Sequence, residues 1–325
     1  MAREFLYIVT ETAYGTPKTS PTLGTDAIYI RLDGSNGFTG IGAPKHYEIM
    51  HGGGLATPAI IGADMIDVPA NLTTKLYGSQ AVFLSNWFGQ LINSAQTSPF
   101  TTTEPAGDLV SCSVYHAVTT STGSIKRRWY PGAKVANWTI DCTRDSQVAS
   151  LSLALIAQKF NGNSYDSTSD PNSTIFPAPA ESAYPTDPFT FTTLAGNFTL
   201  GTSRTQFSSL KMTGANVIDA RFFESRWLQV CRCLGRRTTI ETTLYYKPSP
   251  DDLANYQQVT ALTAFAKFDN GTNTLKVDYG TKAVMTNLDR QTPVDKVYEL
   301  PITITNVYDP SLASGAGADI IITAT

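Results

Sequence analysis

The side chains with the widest chemical range are sparse in this sequence. Three histidines, His46, His51 and His116, occur in 325 residues. None stands in the H-E-x-x-H or H-x-E spacing that aims two ligands, or a ligand and a base, at one metal. His46 and His51 are five apart and would face opposite sides of a strand. Cys112, Cys142, Cys231 and Cys233 contain no C-x-x-C pair. They read as buried thiols, the last two pointing the same way along a strand. Asp64 with Asp67, and Asp251 with Asp252, have the composition of a glycosidase acid and base. The first pair reads better as turn or surface, the second as negative charge at a helix N-terminus. No phosphate loop, dinucleotide fingerprint or nucleophile elbow is present in the sequence. The expectation is a protein without catalytic residues, cofactor or metal.

Two basic clusters remain, Lys126-Arg127-Arg128-Trp129 and a stretch containing Arg232, Arg236 and Arg237. Either could touch phosphate. On alternating strands, however, such charges more often solvate one face or bridge to a neighbouring subunit, and the net charge of -3 is unlike that of a free-standing nucleic-acid binder. Arg232, Arg236 and Arg237 are therefore candidate assembly residues. Gly52, Gly53 and Gly54 join them, because three adjacent glycines allow a sharp reversal that is mobile in a free subunit and ordered on assembly.

The elements that hold these residues are mostly strands. Charged residues are 16% of the chain, against roughly 25% in an average domain, and serine, threonine, glycine and asparagine take their place. That composition favours short strands and tight turns. Residues 14 to 25 form a proline-punctuated arm, and strands follow at Ile28 to Leu32, Tyr47 to His51 and Ala59 to Val68. A helix begins at Ser79 as N-cap and carries Leu84, Trp87, Phe88, Leu91 and Ile92 at helical spacing. Further strands cover Cys112 to Val118, Ser124 to Tyr130 and Ser150 to Lys159. Residues 161 to 188, rich in proline, serine and aspartate, read as a linker. Beyond it come strands at Phe198 to Leu200, Val217 to Cys231 and Thr238 to Tyr246. A second helix, capped by Ser249-Pro250-Asp251-Asp252, carries Leu253, Tyr256 and Val259, and strands follow at Ala264 to Phe268, Thr274 to Asp278 and Tyr298 to Ile304.

The order of signals repeats. Leu151, Leu153 and Leu155 lie 19, 21 and 23 residues past Gly132 of Gly132-Ala133-Lys134, and Leu300, Ile302 and Ile304 lie 20, 22 and 24 past Gly280 of Gly280-Thr281-Lys282. An ordered series of this kind indicates an internal duplication. It divides the chain into a first unit at 1–160, the linker 161–188 and a second unit at 189–325.

Against this background, the chain resembles the tail tube proteins of long-tailed bacteriophages, in particular the group of about 300 residues. The resemblance rests on Glu11 to Pro17 (E-T-A-Y-G-T-P), the helix at Ser79 to Asn93, and the stretch from Tyr115-His116 through Trp129 to Val135 and on to Leu151-Ser152-Leu153. It implies a mainly β chain of two tandem β-sandwich or barrel-like tube domains, each with one flanking helix. It further implies rings that stack into a hollow cylinder, three chains supplying the six tube domains of a ring in preference to a hexamer. Arms at residues 10 to 25 and at the C-terminal tail would be ordered by adjacent rings. Implied partners are the chain itself, the tail terminator, tape measure and baseplate proteins, and genomic DNA passing through without specific contact. The expected location is the virion tail after assembly in the host cytoplasm, since no apolar run approaches the ~20 residues that cross a bilayer and no signal peptide is expected. Two other readings share the composition: a baseplate or decoration protein, and a β-sandwich carbohydrate-binding domain, which would need exposed coplanar aromatics.

Overall fold

A computed structural model describes residues 3–32, 38–40, 43–44, 47–50, 60–63, 66–89, 97–100, 109–119, 125–160, 179–221, 228–245, 250–288, 299–307, 309, 312 and 320–325. The fold is mainly β and antiparallel. The first half contains β1 (Arg3–Ala13), β2 (Thr16–Pro17), β3 (Ala27–Ile30), β4 (Phe38–Gly40), β5 (Ala43–Pro44), β6 (Tyr47–Met50), β7 (Ile60–Ala63), β8 (Ile66–Asp67), β9 (Pro69–Lys75), α1 (Gly78–Gly89), β10 (Thr97–Phe100), β11 (Cys112–Thr119), β12 (Ile125–Thr143) and β13 (Ser150–Ile156). The second half contains β14 (Phe198–Leu200), β15 (Thr202–Arg204), β16 (Phe207–Arg221), β17 (Val230–Tyr245), α2 (Pro250–Gln257), β18 (Ala264–Asp269), β19 (Thr274–Asp278), β20 (Val284–Leu288), β21 (Glu299–Thr305) and β22 (Ile320–Ala324).

Alternation of side chains sets the faces. Leu151, Leu153 and Leu155 on β13 are buried while Ser150, Ser152 and Ala154 are half-exposed, as a two-residue period requires. β1 buries both faces. Leu6 and Ile8 enter the main core, and Phe5, Tyr7 and Val9 enter a smaller aromatic core with Tyr29, Tyr115 and Tyr184.

A run of four paired strands recurs in the two halves. In the first, β4 pairs β9, β9 pairs β13 and β13 pairs the second part of β12; in the second, β16 pairs β17, β17 pairs β21 and β21 pairs β20. A helix follows β9 and β17 alike, and a hairpin follows each helix, β11 with β12 and β18 with β19. The register repeats down to its defect. Lys134 and Val135 face Ile156 and Leu155, then Asn137 faces Ala154, with Ala136 extra. Val284 and Met285 face Thr305 and Ile304, then Asn287 faces Thr303, with Thr286 extra. A bulge at the same step of both ladders is a feature of the fold and not a local accident. Strand β12 also pairs β16 from Asn137↔Ala215 to Thr143↔Ser209, so one sheet runs across the sequence boundary at 161–188.

Several expectations are corrected. Helix α1 starts at Gly78, and Ser79 is not its cap: the Ser79 N–H and Oγ both donate to Asp187, at 2.7 Å each. Residues 90–93 of the expected helix lie outside the described residues. Val217 to Cys231 is not one strand but parts of the two arms of the β16–β17 hairpin, with Arg221 facing Val230. Val259 is not on the buried face of α2; it lies past the helix with φ 52° and is exposed. Within the expected linker, Tyr184 is buried and Pro188 bridges to Tyr77. The N-terminal arm folds back on its own strand through β2 and β3, and the tail strand β22 pairs β10 and β19 of its own chain.

At the crossing of the two halves, Gly214 is needed for space. A Cβ there would stand 2.2 Å from Nε1 of Trp138, which is fully buried and packs on Phe88. Gly214→Ala should cost about 1–3 kcal/mol through overpacking, read as a lowered denaturation midpoint. Gly24→Ala, with no atom within 4 Å of its Cβ, should cost only the strain of its positive φ.

Candidate assembly interface

Among the described residues, β4 has β9 as its one ladder partner and β20 has β21, so these two strands end the series β4-β9-β13-β12-β16-β17-β21-β20. The junction in the middle, β12 with β16, is where the first half meets the second. It is fixed by side chains as well as by backbone. Asn216 Nδ2 donates to the Val135 carbonyl at 2.7 Å, and buried Lys134 donates to the Cys231 carbonyl at 2.7 Å with its ammonium over the Tyr14 ring. Leu228 N–H donates to the Gln158 carbonyl, so the base of the hairpin tip lies on the corner of the first half.

That corner is built round Gly132, with φ 66°, a left-handed conformation that glycine adopts without strain. Glu11 holds it. Its Oε1 accepts from Gly132 N at 2.7 Å and Ser113 Oγ at 2.6 Å, and its Oε2 accepts from Gly15 N at 2.9 Å and Ser111 Oγ at 2.6 Å. Gly280 in the second half has the same φ, 66°, and another acid beside it. Buried Asp309 accepts from Thr281 N at 2.9 Å and Thr281 Oγ1 at 2.8 Å. The paired glycines were visible in the sequence; their carboxylate partners were not.

The expected assembly residues fall as follows. Gly52, Gly53 and Gly54 lie outside the described residues, between β6 and β7, which pair from Tyr47↔Ala63 to Met50↔Ile60. Arg232 lies on β17 opposite Asp219, Arg236 is buried at the base of the same hairpin, and Arg237 is exposed. The three arginines therefore share one strand, β17, and the glycines are not among the described residues. In the other basic cluster, Arg127 is buried and Trp129 stacks on Tyr115 at 5.8 Å, which in turn stacks on Tyr7 at 4.6 Å. These coplanar rings are packed inward. The described large apolar side chains that are exposed, Leu23, Val217, Leu234, Val259 and Val307, include no aromatic of the kind a sugar ring would stack on.

Of the candidate chemical groups, His46, His51 and Asp64 lie outside the described residues, and Asp252, His116 and the cysteines have the following surroundings. Asp252 is not simply helix-end charge: it is buried and accepts from Arg204 Nη1 at 3.1 Å and Nη2 at 2.6 Å. His116 pairs with Glu4; burial lowers its pKa and the Glu4 carboxylate opposes that shift. All four cysteines are buried and free. Burial raises the Cys112 thiol, helped by Glu11, and raises Cys142 to about 12, helped by Asp141, so both stay protonated and poorly nucleophilic near neutral pH. An open groove of about 350 Å³ lies between Arg31, Lys75, Tyr77, Val148 and Pro185; among the described residues no histidine, cysteine or carboxylate lines it. No helix among the described residues is long and apolar enough to cross a membrane. The chain matches no family model and none of the curated proteins compared with it.

Proposed function

We propose that the protein is a structural subunit of a bacteriophage tail tube, whose copies join edge to edge into rings that stack as a hollow conduit for DNA. The observation that carries the reading is the β12–β16 junction: two units of one topology are already fused through their sheets, and the fused sheet ends in two strands, β4 and β20, that correspond to the strands at the fusion. Repeating the same step from copy to copy produces a larger assembly of the same kind, and a closed one if the rotation per step divides a full turn. The two halves act as tandem tube domains, 1–160 and 189–325, joined by 161–188. Three chains then supply six domains, giving a ring that is threefold in detail and nearly sixfold in its wall. Tail terminator, tape measure and baseplate proteins meet the tube at its ends and interior, and DNA passes without base-specific contacts.

The test is sedimentation of concentrated protein with and without chelator, followed by negative-stain microscopy. Species of three chains and their multiples, appearing as rings or tubes, are expected in both buffers. Monomer alone under every condition would overturn the reading, and six chains in each ring would overturn the trimer.

A further inference from the structure

We infer that the corner of the second half at Gly280, with Lys282 and Val307 at its surface, is covered by the first half of a second copy, as the corner at Gly132 is covered by the second half within one chain. The inference rests on the ring-forming reading and names the surface that one copy offers to the next.

The two corners match residue by residue. Ala157 N–H donates to the Val68 carbonyl at 3.0 Å, and Asn306 N–H donates to the Thr238 carbonyl at 3.2 Å. The adjoining ladder pairs match as well, Pro69 facing Ile156 and Thr239 facing Thr305. Gln158 therefore corresponds to Val307. Gly132 and Gly280 share a φ of 66°, and Lys134 and Lys282 each stand two residues beyond them.

The coverage of the two corners differs. In the first half Pro131 to Val135 are all buried, and Lys134 is 1% exposed with its ammonium on the Cys231 carbonyl. The Gln158 carbonyl accepts from Leu228 N–H. Both partners come from the β16–β17 hairpin of the second half. In the second half Thr281 and Lys282 are exposed, and Val307 is 48% exposed. The β16–β17 hairpin cannot serve this corner, because it is already seated on the other. In the recurring run of strands β4 and β9 take the places of β16 and β17, so the first half of another copy holds the matching element.

The surface beside the bare corner suits a protein partner. Among the described residues five large apolar side chains are exposed, and three of them, Val217, Leu234 and Val307, lie together. The bond from Asn306 to Thr238 sets Val307 beside Arg237 of β17; Ala215 faces Arg237 from β16, and Val217 faces Gly235 next to Leu234. Ala215 and Arg237 are exposed too. Apolar side chains gathered in one strip, instead of scattered singly, mark a protein contact, and arginine is the cation enriched in such contacts.

The experiment attaches a benzophenone maleimide to Val307→Cys, assembles the product with an excess of unmodified protein labelled with heavy nitrogen, and irradiates it; the four native thiols are buried. The peptide joined to residue 307 should carry heavy nitrogen and map within 1–160. Light adducts only, or heavy adducts from any other part of the chain, in assemblies seen by microscopy would overturn the inference and leave ring formation standing. A second variant, Val307→Asp with Leu234→Asp, changes two exposed side chains and should keep the thermal midpoint of the parent while raising the concentration needed for assembly by roughly tenfold or more, since each carboxylate would be buried at the contact. Assembly of this variant at the parental concentration would overturn the inference. Failure of the unmodified protein to assemble would overturn both readings.

Discussion

Replacing Asp252 with alanine should cost about 3–5 kcal/mol, the scale of removing one partner from a buried ion pair. Asp252 is completely buried and Arg204 retains 17% side-chain exposure, so nearly all the relief available to the stranded guanidinium must come through one side. Arg204 also donates from Nε to the Leu200 carbonyl at 3.1 Å, which holds it in place after the carboxylate has gone. The pair ties the first turn of α2 to β14 and β15, and its loss should loosen the second half before the first. Urea unfolding followed by far-ultraviolet dichroism measures the effect. A double replacement, Arg204→Met with Asp252→Leu, should recover most of the loss, because an apolar pair of similar volume carries no desolvation penalty. A midpoint for Asp252→Ala close to the unmodified protein would show that the pair carries little.

Glu11→Ala should be of similar size, on the order of 3 kcal/mol, because one carboxylate satisfies two serine hydroxyls and two backbone N–H groups and each half-buried donor left without it carries a penalty of about 1–3 kcal/mol unless water replaces it. Glu11→Gln should recover only part, since its amide NH2 would turn a donor toward donors. Thermal unfolding of the two variants, ranked against Gly132→Ala, checks this order. The glycine change forces a Cβ to within 2.6 Å of the Gln158 Cβ in a left-handed backbone. If Glu11→Gln proved as stable as the parent, the cluster would be hydrated and not structural.

The elements that were legible in the sequence are those written in short-range pattern. Leu151, Leu153 and Leu155 announce β13 because a two-residue period survives in one dimension. Gly132 and Gly280 were legible as a pair because their spacing to the following strands repeats. Long-range hydrogen bonds leave no such trace: Ser79 looked like a cap, but its acceptor is Asp187, 108 residues away, and Gly132 is held by Glu11, 121 residues away. The reversal between β16 and β17 was missed for a different reason. Arg221 to Cys231 contains no glycine, proline, asparagine or aspartate, and its aromatic residues imitate a strand. The candidate interface was legible only as types of residue. Which strands end the sheet follows from pairing order, which no single stretch encodes.

Strand β22 bears on the timing of synthesis. Its residues lie between β10 and β19, with Thr97 facing Thr323 and Val277 facing Ile322, and Ile320, Ile322 and Ala324 are buried. A nascent chain leaves the ribosome with β10 and β19 long before the strand that separates them, and pairing at such sequence distance is intrinsically slow. Until residues 320–324 emerge, β10 is cut off from the rest of the second sheet, and α1, which also packs against β22, lacks part of its bed. A chain whose translation stops early would therefore leave β10 and β19 with unpaired edges, to which other strands could add. A variant that stops before Ile320 should accordingly be recovered mostly as insoluble protein, whereas one lacking only Thr325 should stay in the supernatant.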